Sequence, residues 1–169
     1  SFDLVVPQVT GGELSREASI RLCDAVAGGT GFAAFHHGGA TSFPGNARFR
    51  FLCGATFATH PGDIITYRVD PERSDDPIMA GIESFEHTSE QYYLHVDPAV
   101  KVHAVCDFPV VEGPHSVNGP VAMPVVFTKG WGKGRVYYNA LGHRAALFAE
   151  GPAREMMRRG LVWAMRGAG

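Results

Sequence analysis

No run of apolar residues approaches the ~20 that a helix needs to cross a bilayer, and the opening SFDLVVPQ has neither the basic start nor the apolar stretch of a secretory signal. The expectation is a cytoplasmic protein with no membrane partner; the absence of an initiating Met leaves room for a removed upstream segment. Cysteine is scarce. Cys23, Cys53 and Cys106 are odd in number, widely separated and never in a Cys-x-x-Cys pair, which argues against a disulfide framework or a zinc knuckle and leaves buried free thiols. Excess charge of one sign is missing as well: 15 Lys and Arg against 17 Asp and Glu give a formal net charge of -2, so nothing draws the chain to nucleic acid. There is no Gly-x-Ser-x-Gly elbow, no internal repeat and no low-complexity segment. The glycine-rich KGWGKGR at 129–135 lacks the spacing of a phosphate loop and joins two strands instead of opening a helix, so no nucleotide cofactor is expected.

What is present is a globular composition: 169 residues, 45% hydrophobic, with 21 Gly and 11 Pro, read as one domain over 1–169 with many tight turns. FDLVV at 2–6 reads as a buried strand. Ser15 then caps a helix with Ala18, Leu22, Ala25 and Val26 on one face; Gly28 and Gly29 stop it, and GFAAF at 31–35 is a second buried strand. Strand, helix, strand with short links is a βαβ unit, which predicts a parallel sheet covered by helices. Residues 44–54 read as a short helix, 64–69 and 100–106 as strands, 71–77 as a charged turn and 109–120 as an exposed loop. EHTSEQYYLH at 86–95 has no clean period and reads as a loop with an extended segment. Residues 125–128 and 135–141 form a C-terminal hairpin, and Pro152 opens a last helix with Met157, Leu161 and Ala164 on one face.

Chemistry is expected first at GFAAFHHGG, residues 31–39, where an uncharged strand runs into paired histidines and a Gly-Gly turn. In open α/β sheets ligands bind beyond the carboxyl ends of strands. Eight histidines are present, several at element ends: His36 and His37, His60 before Pro61, and His143 after RVYYNALG. Histidines converging with a carboxylate suit a divalent metal or a general base, although each can equally be a hydrogen-bonded structural residue. Adjacent side chains in extended chain diverge, so only one of His36 and His37 is expected to face the pocket. A second cluster, Glu86, Glu90, Tyr92, Tyr93 and His95, offers a base, an acid and a stacking surface for a sugar ring, or simply a solvated loop.

Four blocks together resemble the trehalose-utilisation (ThuA-like) family: GGTGFAAFHHGGATSFPG at 28–45, CGATFATHPG at 53–62, DDPIMAGIESFEHTSEQYY at 75–93 and MPVVFTKGWGKGRVYYNALGH at 123–143. The resemblance implies a three-layer, flavodoxin-like (class I glutamine amidotransferase-like) α/β fold, with a mainly parallel sheet, helices on both faces and a C-terminal hairpin. It places His36 where amidotransferases carry their nucleophilic Cys, so amidotransfer is excluded. The functional positions it implies are His36, His60, Glu90, Tyr92 and His143, with His37 shared by one branch. Ser89 stands where the family usually has Asp, Asp76 is followed directly by Pro77 with no histidine between, and Asn46, Ala47 and Arg48 replace a usual tryptophan. Members also usually carry another strand and helix before the first strand here, so either that unit was lost or another chain closes the sheet edge.

The function so implied is catabolism of trehalose-like glycosides oxidised at carbon 3, by metal-assisted elimination and hydration. The expected roles are a divalent metal (Zn, Mn or Fe) on His36 and His143, catalysis by Glu90, Tyr92 and His37, and substrate binding by His60 and Tyr93. The expected partners are a small carbohydrate and further copies of the chain. Two alternatives stand beside this: a non-catalytic sugar-binding or assembly module, and a metal-dependent hydrolase of another small polar substrate.

Overall fold

The Ser15 hydroxyl accepts a hydrogen bond from the Ala18 amide at 3.1 Å, and this cap starts a helix that the glycine pair at 28 and 29 ends, as the sequence predicts. The buried face of that helix is turned from the expected one, to Ser19, Cys23 and Val26. Ser19 can go inside because its hydroxyl donates to the Arg16 carbonyl at 2.8 Å.

A computed structural model describes residues 2–72 and 75–167. In chain order its elements are β1 (Leu4–Val5), α1 (Arg16–Ala27), β2 (Gly31–Phe35), α2 (His37–Ala40), α3 (Ala47–Cys53), β3 (Ala55–Thr59), β4 (Ile64–Pro71), β5 (Phe85–Glu90), β6 (Tyr93–Val96), β7 (Lys101–Phe108), β8 (Val121–Trp131), β9 (Gly134–Asn139) and α4 (Gly151–Ala164). Short 3-10 turns lie at Pro114–Asn118 and Ala145–Phe148. Of the charged turn expected at 71–77, residues 73 and 74 lie outside the described residues.

Seven strands form one sheet in the order β1-β2-β9-β8-β7-β4-β5. The opening βαβ unit is there: β1 pairs parallel with β2, and β2 parallel with β9. Beyond β9 every pairing is antiparallel, so the sheet is mixed where a mainly parallel one was expected. The cause lies in the connections. Parallel neighbours need a long crossover, whereas β8 turns into β9 over Gly132 and Lys133, and among the described residues no α-helix lies between β4 and β5 or between β7 and β8.

Helices cover both faces at β9. The Tyr137 hydroxyl donates to Met156 O of α4 at 3.0 Å, while Tyr138, pointing the other way, stacks on Phe127 at 5.0 Å and lies against α2. Phe32, Phe49, Phe127, Tyr137 and Tyr138 are fully buried at the centre of the core. All three cysteines are buried and free, and burial pushes the Cys53 thiol up to about 12.

The segment read as a loop at 86–95 is two strands, β5 and β6, broken at Gln91 and Tyr92. β6 leaves the main sheet to pair antiparallel with β3, a strand the sequence reading did not include. This ribbon is clasped to the sheet by Lys129 of β8, whose ammonium donates to Asp97 Oδ2 at 2.6 Å and to Phe51 O at 2.7 Å. Among the described residues no helix is long and apolar enough to cross a membrane.

Gly160 marks how closely α4 approaches the sheet, since a Cβ there would stand 2.1 Å from ring carbons of Tyr137. Gly160→Ala is expected to lower stability by about 1–3 kcal/mol through overpacking. Urea denaturation reads it as a lower midpoint with unchanged slope, and an unchanged midpoint would show that Tyr137 can move aside.

Candidate functional site

β2 and β9 run parallel with Phe35 opposite Asn139, so both strands end at one edge of the sheet and deliver the segments after them, His36 and residues 140–143, to one place. The chain breaks sharply at His36, which has φ 48 and ψ -125. A non-glycine residue is strained there and needs its surroundings to hold it. Its amide donates to Asn139 O at 2.8 Å and its carbonyl accepts from the Tyr138 hydroxyl at 3.1 Å. Gly142 passes so close that a Cβ on it would lie 2.5 Å from His36 Cβ. His143 is the second strained site residue, with φ 81.

The break at His36 overturns the argument that the two adjacent histidines diverge. The turn swings His37 round, so the rings lie 4.1 Å apart and both reach the same carboxylate. That carboxylate is Glu90, at the end of β5. Oε2 is 3.1 Å from His36 Nε2 and 3.5 Å from His37 Nε2, and Oε1 is 3.0 Å from His143 Nδ1. Glu90 and His36 are buried, His37 is half-buried and His143 exposed.

Burial, reinforced by the neighbouring His37, His143, His60 and His87, pushes His36 down to about 3, so its imidazole is neutral. His37 is lowered by burial too, with Glu90 opposing and His143 and His60 adding to the shift. His36 Nε2 and Glu90 Oε2 are both buried and lack a hydrogen-bond partner among the described residues, despite being 3.1 Å apart. Two buried polar atoms this close that satisfy no hydrogen bond suit a cation between them. The ligand atoms of His36, His37, Glu90 and His143 all lie within 4.8 Å of one another. Donors at ~2.0–2.2 Å from a shared cation are at most ~4.4 Å apart, so a small contraction would let these residues hold one.

Tyr92 joins the group from the break between β5 and β6. Its hydroxyl is 2.9 Å from His37 Nδ1 and 3.2 Å from Nε2, and its ring stacks on His36 with centroids 4.6 Å apart. Burial, then Glu90, pushes the phenol well above its ordinary range, so it remains a proton donor. His60 stacks beyond Tyr92, centroids 6.2 Å apart, with Nδ1 3.5 Å from Asp63 Oδ1. Tyr93 is not brought to the cluster. It packs on Phe108 at 5.0 Å and lines a separate cavity of about 310 Å³. The histidines open instead onto a cleft of about 430 Å³ walled by Phe35 and Phe148 and rimmed by Gln8, Thr10 and Arg144.

The sequence reading missed the residues that hold the histidines in place. Asn139, fully buried, accepts the Leu141 amide on Oδ1 at 2.9 Å and donates to the Tyr137 hydroxyl at 3.2 Å. Thr41 and Ser42 both donate to the His37 carbonyl, at 2.9 and 3.1 Å. An asparagine closing the strand VYYN just before ALGH was the one local signal; nothing nearby in sequence marks the other two.

A family model for trehalose utilisation, ThuA, matches residues 1–164. Among solved structures, a ThuA-like protein from Parabacteroides merdae is similar with a TM-score of 0.73 at 18% identity, covering 96% of this chain and 70% of that one. A ThuA-like protein from Bacteroides uniformis gives 0.70 at 17%, covering 96% and 69%. A β-galactosidase from Bacillus circulans sp. alkalophilus gives 0.59 at 17%, covering 96% of this chain and 22% of the enzyme. At these identities the structural likeness speaks to the fold alone. No curated protein sequence matches the chain.

Asn139→Ala removes the side-chain acceptor of the Leu141 amide. Leaving a buried donor unpaired is expected to cost about 1–3 kcal/mol. Thermal unfolding checks this as a melting point lower by several degrees; a wild-type melting curve would mean that the 140–143 loop does not depend on Asn139.

Proposed function

The chain belongs to the ThuA family of trehalose utilisation, with a carbohydrate-related role, and from that membership and the buried donor cluster we propose an enzyme acting on keto-glycosides. The observation that supports this reading is the pair of buried atoms without a hydrogen bond, His36 Nε2 and Glu90 Oε2, 3.1 Å apart beside the cleft that His36 lines. His36, His143 and Glu90 would hold a divalent cation, zinc, manganese or iron. Three protein ligands with an open position is the pattern of catalytic rather than structural sites. When bound, such a cation supplies a Lewis acid that polarises a carbonyl oxygen.

The substrate class is a glycoside carrying a ketone at carbon 3. The proton on carbon 2 is acidified by that ketone, and the glycosidic oxygen on carbon 1 stands one bond further on. His37 faces the cleft and, of the cluster's residues, is best placed to take the carbon 2 proton. The electron pair released forms the carbon 1–carbon 2 double bond as the carbon 1–oxygen bond breaks. The leaving oxygen takes its proton from His37, which carries the one removed from carbon 2 and so returns to its neutral form, and water then adds across the double bond, its hydroxyl to carbon 1 and its proton to carbon 2.

Tyr92 serves as a positioning residue. It is 3% exposed, too buried to meet a substrate, and holds the His37 ring through its hydroxyl. Phe35 and Phe148, edge to face with centroids 5.8 Å apart, offer an apolar wall for the face of a sugar ring.

Elemental analysis of untagged protein is expected to find about one zinc, manganese or iron per chain, lost in His143→Ala. His37→Ala is expected to keep the metal and lose ~10²–10⁴-fold in turnover of a 3-keto-glucoside. Protein that takes up no metal even on reconstitution, or a fully active His37→Ala, would sink this mechanism and leave a non-catalytic sugar-binding module as the better reading.

A further inference from the structure

Ser89 immediately precedes Glu90 and is buried to 1% exposure inside β5, yet it is not a packing residue. Its hydroxyl donates to Gly142 O at 2.8 Å. The two partners start from distant places: β5 is the outermost strand on its side, and Gly142 comes after β9, with β8, β7 and β4 between them in the sheet order. The sheet therefore curls until its far edge comes back to the end of β9, and this bond ties the curl shut.

The tie lies directly beside the chemistry. One residue further along each segment, Glu90 Oε1 meets His143 Nδ1 at 3.0 Å, so two cross-links sit side by side, Ser89 to Gly142 and Glu90 to His143. The first fixes backbone, and the second depends on where that backbone is. Gly142 is also the residue whose close passage leaves no room for a Cβ beside His36. One carbonyl thus sets the position of the loop against His36 and of His143 against Glu90.

We infer that Ser89 is a positioning residue, which by holding the Gly142 carbonyl fixes the spacing between Glu90, His143 and His36. In its effect on a bound cation the inference rests on the cation reading of that cluster; in its effect on the loop it does not. Residues that orient metal ligands change affinity by ~10–100-fold when lost.

Two readouts on the whole protein test it. In a zinc competition against a chromogenic chelator, Ser89→Ala is expected to weaken zinc by about tenfold, while Ser89→Thr, which retains a hydroxyl, stays near wild type. Thr128→Ala serves as a control, because it also removes a buried hydrogen bond, Thr128 Oγ1 to His103 Nε2 at 2.8 Å, away from the cluster; its affinity should match wild type. In hydrogen exchange of the metal-free protein, the amides of Ala140 and Leu141, bonded to Val125 O at 2.7 Å and to Asn139 Oδ1 at 2.9 Å, should open about tenfold faster in Ser89→Ala and not in Thr128→Ala. Wild-type protein that binds no zinc would remove the cation reading, and the exchange rates would then decide the role of Ser89. Ser89→Ala matching wild type in exchange, or Thr128→Ala loosening the loop equally, overturns it.

Discussion

A carboxylate taken out of water must be given partners or it will not stay charged. Glu90 is 8% exposed, and the fold sets three imidazoles from two other parts of the chain around it while leaving its Oε2 without a hydrogen bond. The strand pairing serves the same end. β2 and β9 must run parallel and end together, so that His36 and His143 share an edge. The antiparallel remainder must curl far enough for the last strand to bring Glu90 to them. The Lys129–Asp97 clasp steadies the β3–β6 ribbon that carries the chain away beyond Tyr92.

Burial keeps His36 neutral at ordinary pH, and its Nε2 faces Glu90 Oε2 across 3.1 Å with no hydrogen bond satisfied at either atom. Buried polar atoms, those of structural histidines included, usually find a donor or acceptor. The phenol of Tyr92, held protonated by burial, contacts His37, one of the histidines that line the cleft.

Much of the framework was legible because it is written in apolar periodicity. GFAAF, the 3.6-residue pattern of the last helix and the Gly-Lys hairpin come from local rules, as do the capped ends of the first helix, though not its buried face. β5 was not, for a physical reason. Its burial does alternate over FEHTSE, with His87 and Ser89 inside and Glu86 and Thr88 outside, but the inward residues are polar, so a hydrophobicity pattern is blind to it. The same holds for the site. The residues of the cluster were legible through the family resemblance, whereas the convergence of His36 with His37 depends on a positive φ that no spacing reveals. Tyr93 shows the opposite case: it belongs to the same polar and aromatic segment as Glu90 and Tyr92, and the strand that begins there turns it to another cavity.

The donors arrive from three separated stretches, residues 36–37, 90 and 143, and two of them sit in backbone conformations that cost of order 1–3 kcal/mol each. An unfolded chain therefore has no site, only scattered side chains at ordinary dihedrals. Whatever binds the cluster binds the folded molecule alone, and its binding energy is added to the energy of folding. The concentration of that ligand around the protein then sets how often the chain opens, and with it how long a given copy lasts among proteases.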